Sequence, residues 1–89
     1  MPRPVNPVKI PTGKLTPEIA FGLVLREKRM ALGLTQADLE DDDTMDHSYI
    51  SRLERGERQV CLRGIISIAR KLQMRPEELL AEVMKRVES

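Results

Sequence analysis

The sequence predicts an all-α fold, a compact domain of five short helices. Apolar residues recur at helical spacing in several segments, and a residue that can cap a helix precedes most of these segments. Aromatic residues make up only 2% of the chain, so the core must consist of Leu, Ile, Val and Met, which suits packed helices better than a sheet. A chain of 89 residues supplies one modest core, so we expect a single domain without a separate ligand-sensing domain.

The composition argues against several classes of protein. With 40% hydrophobic and 33% charged residues, the chain has the composition of a soluble globular domain. It contains neither an apolar run of the roughly 18 residues that a membrane helix needs nor a secretory signal, so we expect a cytoplasmic protein. One Cys and one His predict neither an internal disulfide nor a structural zinc site. No catalytic arrangement or phosphate-binding glycine loop is visible, so we expect no enzyme activity, no metal and no cofactor.

Residues 1–15 are predicted to form a flexible, basic, proline-rich arm, and residues 16–89 to form the folded domain. The arm contains four prolines and three basic residues but no acidic residue. Proline fixes φ and lacks an N–H group, so a long helix is excluded here. Two interpretations remain open: a disordered leader, and an arm that extends along a nucleic acid or another partner.

The first helix is predicted over residues 17–32. Thr16 can cap its N-terminus, Pro17 suits the first helical position, and Gly33 can end it in the left-handed conformation. Five apolar side chains at helical spacing are expected to face the core: Ile19, Phe21, Val24, Leu25 and Leu32.

Two further short helices, joined by a tight turn, are predicted between residues 35 and 55. Thr35 can cap the first by accepting from the N–H of Asp38, and Asp46 can cap the second in the same way. The apolar residues expected to hold the pair together are Leu39, Met45, Ile50 and Leu53. The second helix is then left with a polar outward face, formed by His47, Ser48, Ser51, Arg52 and Arg55.

The fourth helix is predicted over residues 62–72, with Cys61 as a weak sulfur cap. A redox-sensing thiol is the alternative interpretation of Cys61. The buried side of this helix is expected to contain Leu62, Ile65, Ile68, Ala69 and Leu72. The fifth helix is predicted to begin at Pro76 and to close the core with Leu79 and Val83. Its other apolar residues form a candidate self-association surface: Leu80, Met84 and Val87.

The helix pair and its flanks resemble a known family. The resemblance rests on two runs, Gly33-Leu34-Thr35-Gln36 and Tyr49-Ile50-Ser51-Arg52-Leu53-Glu54-Arg55-Gly56, which are similar to those of phage repressor/Cro-like (XRE-type) helix-turn-helix proteins. This resemblance implies a repressor-like fold and a transcription regulator that binds a palindromic double-stranded DNA operator as a homodimer. Restriction-modification controller proteins and antitoxins are both small regulators of this kind, and the choice between them stays open.

The resemblance also implies roles for individual residues. The second helix of the motif enters the major groove, which makes its first two turns the base-reading part: His47, Ser48 and Arg52. Contacts to the DNA backbone are expected from Thr35, Gln36, Tyr49, Ser51, Arg55 and Arg58. In the family an arginine and a glutamate at the positions of Arg29 and Glu54 form a structural ion pair. The last helix commonly supplies the dimer interface.

The motif departs from the family pattern at its corner. Glu40 stands where a small residue is usual, and Thr44 stands where glycine normally supplies a positive φ. Both departures predict a longer or re-registered turn.

Charge is distributed unevenly along the chain although the net charge is only +1. Residues 38–46 carry six acids and no base, whereas residues 47–75 carry seven Lys or Arg against two Glu. The basic block can meet phosphates. The acidic run of residues 40–43 is interpreted as a solvated corner, with a docking site for a basic protein as the alternative. A protein-interaction module that keeps the fold without binding DNA is the alternative function.

Overall fold

The computed structural model describes residues 15–41 and 45–88, and the helices of this part of the chain confirm the predicted all-α class. The elements in chain order are helix α1 (Pro17–Ala31), a 3-10 turn (Ala37–Leu39), helix α2 (His47–Glu54), helix α3 (Leu62–Lys71) and helix α4 (Pro76–Glu88). Apart from Leu15, the predicted N-terminal arm lies outside the described residues, as do Thr44 and two residues of the acidic run. None of the described helices is long and apolar enough to cross a membrane.

The prediction of five helices is wrong for the described residues, which contain four α-helices. The first helix of the predicted pair is reduced to the 3-10 turn, because the backbone becomes extended at Glu40, with φ −68° and ψ 153°. Lys71 Nζ donates to the carbonyl oxygen of Leu39 at 3.1 Å and also to that of Glu40. These carbonyl groups are therefore satisfied by a side chain from α3 and not by a further helical turn.

The corner of the motif is also rearranged. An isolated antiparallel bridge joins Asp41 to Met45, with the N–H of Asp41 donating to the carbonyl oxygen of Met45 at 2.8 Å. Such a bridge requires extended backbone on both sides of the intervening residues. The connection between the 3-10 turn and α2 is thus longer than the usual tight turn. Glu40, which stands where the family has a small residue, predicted this longer connection.

The predicted helix caps are confirmed. Thr16 Oγ1 accepts from the N–H of Ile19 at 3.2 Å, and the carboxylate of Asp46 accepts from the N–H of Tyr49 at 2.8 Å. Cys61 Sγ accepts from the N–H of Gly64 at 3.3 Å, a long contact to a poor acceptor. Each bond satisfies one of the free N–H groups at a helix start, so three of the four α-helices begin where side-chain chemistry dictates.

Residues from every helix form one apolar core. The predicted contacts of α2 and its corner are buried, as are the core residues of α4: Leu39, Met45, Ile50, Leu53, Leu79 and Val83. The burial predicted for Ile19, Leu32 and Leu62 is wrong, since these residues are 42%, 43% and 74% exposed. Leu32 follows the last residue of α1 and Leu62 is the first residue of α3, so neither belongs to the helix turns that cover the core.

Helices α1 and α2 approach each other most closely at Gly22. A Cβ atom at this position would overlap with the carbonyl oxygen of Leu53 and lie 2.7 Å from that of Glu54. Only glycine permits this approach. It seats the C-terminal half of α2 directly on α1 and thereby fixes the direction in which α2 projects.

Candidate nucleic-acid interface

Helix α2 presents a polar face on a firmly anchored backbone. Ile50 and Leu53 are fully buried beneath it, and the Asp46 cap fixes its N-terminal turn. With 3.6 residues per turn, the residues between these anchors point away from the core. The outward side chains that are exposed are His47, Ser48, Arg52 and Arg55, while Tyr49 and Ser51 are half-buried at the edges.

The three predicted base-reading residues lie along the first two turns of α2. His47 has a side chain 66% exposed, and its Nδ1 lies 3.7 Å from Glu40 Oε2. Ser48 and Arg52 are separated by one helical turn and share a face. Within the described chain, no hydrogen bond or ion pair engages the Arg52 guanidinium. The donors of Arg52 are therefore available for a ligand in front of α2.

A partly buried ion pair joins α1 to the end of α2. Arg29 Nε lies 2.6 Å from Glu54 Oε2, and Arg29 Nη2 lies 3.0 Å from Glu54 Oε1. Their side chains are only 13% and 5% exposed, and bonding to the carboxylate raises the pKa of Arg29. Arg29 Nη1 also donates to the carbonyl oxygen of Leu34 at 2.8 Å. The structure thus brings together the two residues that the resemblance paired, and the fork also holds the end of α1 to the next segment.

Gln36 belongs to this same cluster. Its Nε2 donates to Glu54 Oε1 at 3.0 Å, which uses one of the two N–H donors of the amide. The bond fixes the side chain of Gln36 beside the C-terminal turn of α2. The predicted contact of Gln36 with the DNA backbone would therefore be made by an amide group that Glu54 already orients.

Thr35 and Asp38 cap each other. The hydroxyl of Thr35 accepts from the N–H of Asp38 at 3.2 Å, and Asp38 Oδ2 accepts from the N–H of Thr35 at 2.7 Å. The bond from the Thr35 N–H holds the pKa of Asp38 below its usual value. This reciprocal arrangement is a capping box, and it stabilises the 3-10 turn despite its short length.

Tyr49 fastens α2 to the segment that leads into α3. Its hydroxyl donates to the carbonyl oxygen of Gln59 at 3.1 Å and accepts from the N–H of Cys61 at 3.3 Å. Burial raises the pKa of this phenol. The guanidinium of Arg58 lies 5.6 Å from the centre of the ring, within the range of a cation–π contact. Tyr49 therefore holds Arg58 beside α2, a role that the sequence did not indicate.

Arg55 forms a cluster with Ser51 and Glu57 at the end of α2. Its Nη1 donates to Ser51 Oγ at 2.5 Å, and its Nε and Nη2 donate to the two carboxylate oxygens of Glu57 at 3.1 and 3.2 Å. Sequence reasoning placed Arg55 and Ser51 at the interface but missed Glu57. Gly56 was the feature of the sequence that could have indicated this pair, because its left-handed φ of +74° reverses the chain between Arg55 and Glu57.

The acidic corner is partly engaged with the rest of the domain. Besides the approach of Glu40 to His47, Asp41 Oδ2 accepts from the hydroxyl of Ser67 at 3.2 Å. Within the described ranges, no group of His, Cys, Asp or Glu side chains is arranged to hold a metal ion.

The apolar surface predicted on α4 is present in part, at two of its three residues. Leu80 and Met84 are 42% and 46% exposed, whereas Val87 is half-buried and packs against the core. Leu79 and Val83, on the opposite side of the same helix, are buried. Helix α4 therefore separates a core-facing stripe from an outward apolar stripe.

Comparisons with known proteins agree with this geometry. A family model described as a helix-turn-helix domain matches residues 20–83. Among solved structures, the restriction-modification controller protein C.AhdI from Aeromonas hydrophila is 43% identical, with a TM-score of 0.63, covering 68% of this chain and 92% of that chain. The clp gene regulator ClgR from Corynebacterium glutamicum is 25% identical, with a TM-score of 0.76, covering 84% and 80%.

The fold is also that of a protein solved with DNA. The restriction-modification controller protein C.Esp1396I, as a tetramer in complex with its natural 35 base-pair operator, is 22% identical with a TM-score of 0.71, covering 85% of this chain and 100% of that chain. None of the curated proteins searched matches the chain.

Proposed function

The chain belongs to the helix-turn-helix domain family, and we propose that it is a transcription regulator that reads double-stranded DNA through α2. It acts as a homodimer on a palindromic operator, in the cytoplasm of a bacterium and on its nucleoid when bound. The observation that carries the proposal is the rigidly seated α2, whose exposed face presents Arg52 with no donor bonded to another described residue. An exposed cation on a buried scaffold is what major-groove readout needs.

Base readout is assigned to the first two turns of α2. Arg52 can donate two hydrogen bonds to O6 and N7 of one guanine. His47 and Ser48 precede it on the same end of the helix and provide shorter, less selective contacts. Because Asp46 already satisfies the N–H of Tyr49, the helix start needs no ligand to become ordered.

Contacts to the phosphate backbone are assigned to both sides of α2 along the chain. Thr35 and Gln36 precede α2 along the chain, and Arg55 and Arg58 follow it, with Ser51 contacting Arg55 and Tyr49 contacting Arg58. Phosphate contacts release counterions from DNA, so binding must weaken as salt rises. They also fix the register in which Arg52 meets the bases.

Dimerisation is assigned to Leu80, Met84 and Val87 on α4. One recognition helix covers only a few base pairs, and a palindromic operator presents two half-sites related by a two-fold axis. A self-complementary apolar stripe fits that symmetry. Within the family, the 43% identity to C.AhdI favours a controller protein of a restriction-modification system over an antitoxin.

The rival function is a protein-interaction module, with a basic protein partner docked on the acidic corner. DNA binding by a helix-turn-helix protein depends on its surface charge and on side chains long enough to reach the bases. A protein-interaction module can keep the same fold without either feature. The discriminating experiment is selection of bound fragments from pooled genomic DNA at low salt, followed by a polarisation titration of the enriched duplex. Enrichment of one palindromic sequence by the wild type and its loss in Arg52→Ala supports the proposed function. Failure to retain any duplex favours the rival.

A further inference from the structure

The guanidinium of Arg55 uses three of its five N–H donors on groups of the protein itself. Its three nitrogens donate to Ser51 Oγ and to both oxygens of Glu57, the latter at 3.1 and 3.2 Å. A carboxylate presents a guanidinium with the same planar pair of oxygen acceptors as a phosphate does. The Glu57 carboxylate thus holds the place that a DNA phosphate would take on Arg55.

The backbone holds Glu57 beside Arg55. Gly56 adopts a φ of +74°, and the N–H of Glu57 donates to the carbonyl oxygen of Arg52 at 2.9 Å. The carboxylate therefore lies beside the end of α2, near both of its arginines. Hydrogen bonding to Arg55, with a weaker contribution from the charge of Arg52, lowers the pKa of Glu57, so the carboxylate is ionised at neutral pH.

We propose that Glu57 is an internal phosphate mimic, which occupies Arg55 in the free protein and is displaced by a DNA phosphate on binding. The proposal rests on the proposed function, because it assumes that Arg55 meets the DNA backbone. Both side chains are 54% exposed, and exposed ion pairs of this kind are weak. The competition is therefore modest and readily reversed, and it keeps the arginine ordered while limiting its affinity for DNA.

The mechanism predicts where the effect of Glu57 is felt. Displacement of the carboxylate is the same for every DNA sequence, because Arg55 reads phosphate and not bases. Removing Glu57 must then tighten binding to operator and to unrelated duplex by the same factor. Removing Arg55 must diminish that gain, since most of the effect of Glu57 acts through its contact with Arg55.

The test is a double-mutant cycle of Glu57→Gln and Arg55→Gln, read by fluorescence polarisation on a random-sequence duplex of about three helical turns. Glu57→Gln is expected to tighten binding by about two- to five-fold, the range that an exposed pair allows. In the Arg55→Gln background the same change is expected to have a smaller effect.

A matched control is available in the same chain. Arg75 and Glu77 form an exposed pair with the same sequence spacing, in which Arg75 Nε lies 2.6 Å from Glu77 Oε2, at the start of α4 and outside the helix-turn-helix motif. Glu77→Gln removes the same charge and is expected to leave the affinity unchanged.

Three results overturn the proposal. The first is an equal gain in DNA affinity in both Arg55 backgrounds, which would indicate a general charge effect. The second is a gain of the same size for Glu77→Gln, and the third is weaker binding by Glu57→Gln. Wild-type protein that binds no duplex at low salt would instead refute the proposed function, so the two failures are distinguishable.

Discussion

Gly22 of α1 lies so close to the carbonyl oxygen of Leu53 in α2 that a Cβ atom on residue 22 would overlap with it. This contact is between two backbones, so neither side can move away by a change of rotamer. Gly22→Ala is therefore expected to lower the free energy of unfolding by about 1–3 kcal/mol, as overpacking of a buried contact does. Urea denaturation monitored by circular dichroism measures the change.

The control for this variant is Gly33→Ala, because a Cβ at residue 33 meets no atom within 4 Å. That change only places a side chain with a Cβ atom in the left-handed conformation at φ 73°, and it does not displace α2. DNA binding should thus fall in Gly22→Ala and persist in Gly33→Ala at temperatures where both are folded. Equal stability of wild type and Gly22→Ala would contradict the close approach.

Arg29 is expected to support stability and not base choice. Arg29→Ala leaves the carboxylate of Glu54, only 5% exposed, without its main partner, which typically costs about 3–5 kcal/mol for a fully buried pair. Arg29→Lys keeps the charge but loses the planar fork, so its stability should lie between those of the wild type and Arg29→Ala. Thermal unfolding checks the order. An unchanged melting temperature together with altered operator preference would reverse the assignment.

Gln73 is the one described residue other than glycine with a positive φ, at +62°. It follows the end of α3, where the left-handed conformation strains any side chain with a Cβ atom. Gln73→Gly should raise the free energy of unfolding by about 1 kcal/mol, the usual cost of this conformation. Chemical denaturation measures it, and DNA affinity should be unaffected. A loss of stability would show that contacts of the Gln73 side chain outweigh the backbone strain.

Self-association is expected to depend on the outward stripe of α4. The double variant Leu80→Glu, Met84→Glu places charge on two side chains that are 42% and 46% exposed, so the fold is retained while the apolar contact is lost. Sedimentation should find a folded monomer that binds operator more weakly than wild type.

A matched control tests exposed apolar residues on another helix. Leu62→Glu, Ile66→Glu changes side chains of α3 that are 74% and 39% exposed and should leave the protein dimeric. A dimeric Leu80→Glu, Met84→Glu variant would place the interface elsewhere.

Local chemistry made much of the fold predictable. Thr16, Asp46 and Cys61 cap helices at the positions where their side chains can reach a free N–H group. Gly33 and Gly56 take the left-handed conformation expected of glycine after a helix. These features depend on a few neighbouring residues, which is why they can be read from the chain directly.

The features that were missed depend on contacts between distant segments. The 3-10 turn is short because Lys71, on α3, satisfies the carbonyl group of Leu39. The role of Gly22 appears only when α1 and α2 are packed together. Tertiary contacts override local propensity at both positions, and no periodicity along the chain signals them.

The candidate site was predictable in part for the same reason. Helical spacing placed Arg52 and Ser48 on one exposed face, and the resemblance paired Arg29 with Glu54. The partners of Gln36, Tyr49 and Arg55 were not foreseen, because each lies across a turn or a helix junction. Those partners determine which donors are already used within the protein.

Base readout by Arg52 of α2 can be measured by titrating Arg52→Ala with the selected operator and with base-substituted operators at fixed salt. We expect a loss of binding free energy confined to the native operator, about 1–3 kcal/mol, with relaxed preference at one guanine and an unchanged salt slope. A uniform loss across all sequences, with a shallower salt slope, would contradict base readout and make Arg52 a phosphate contact.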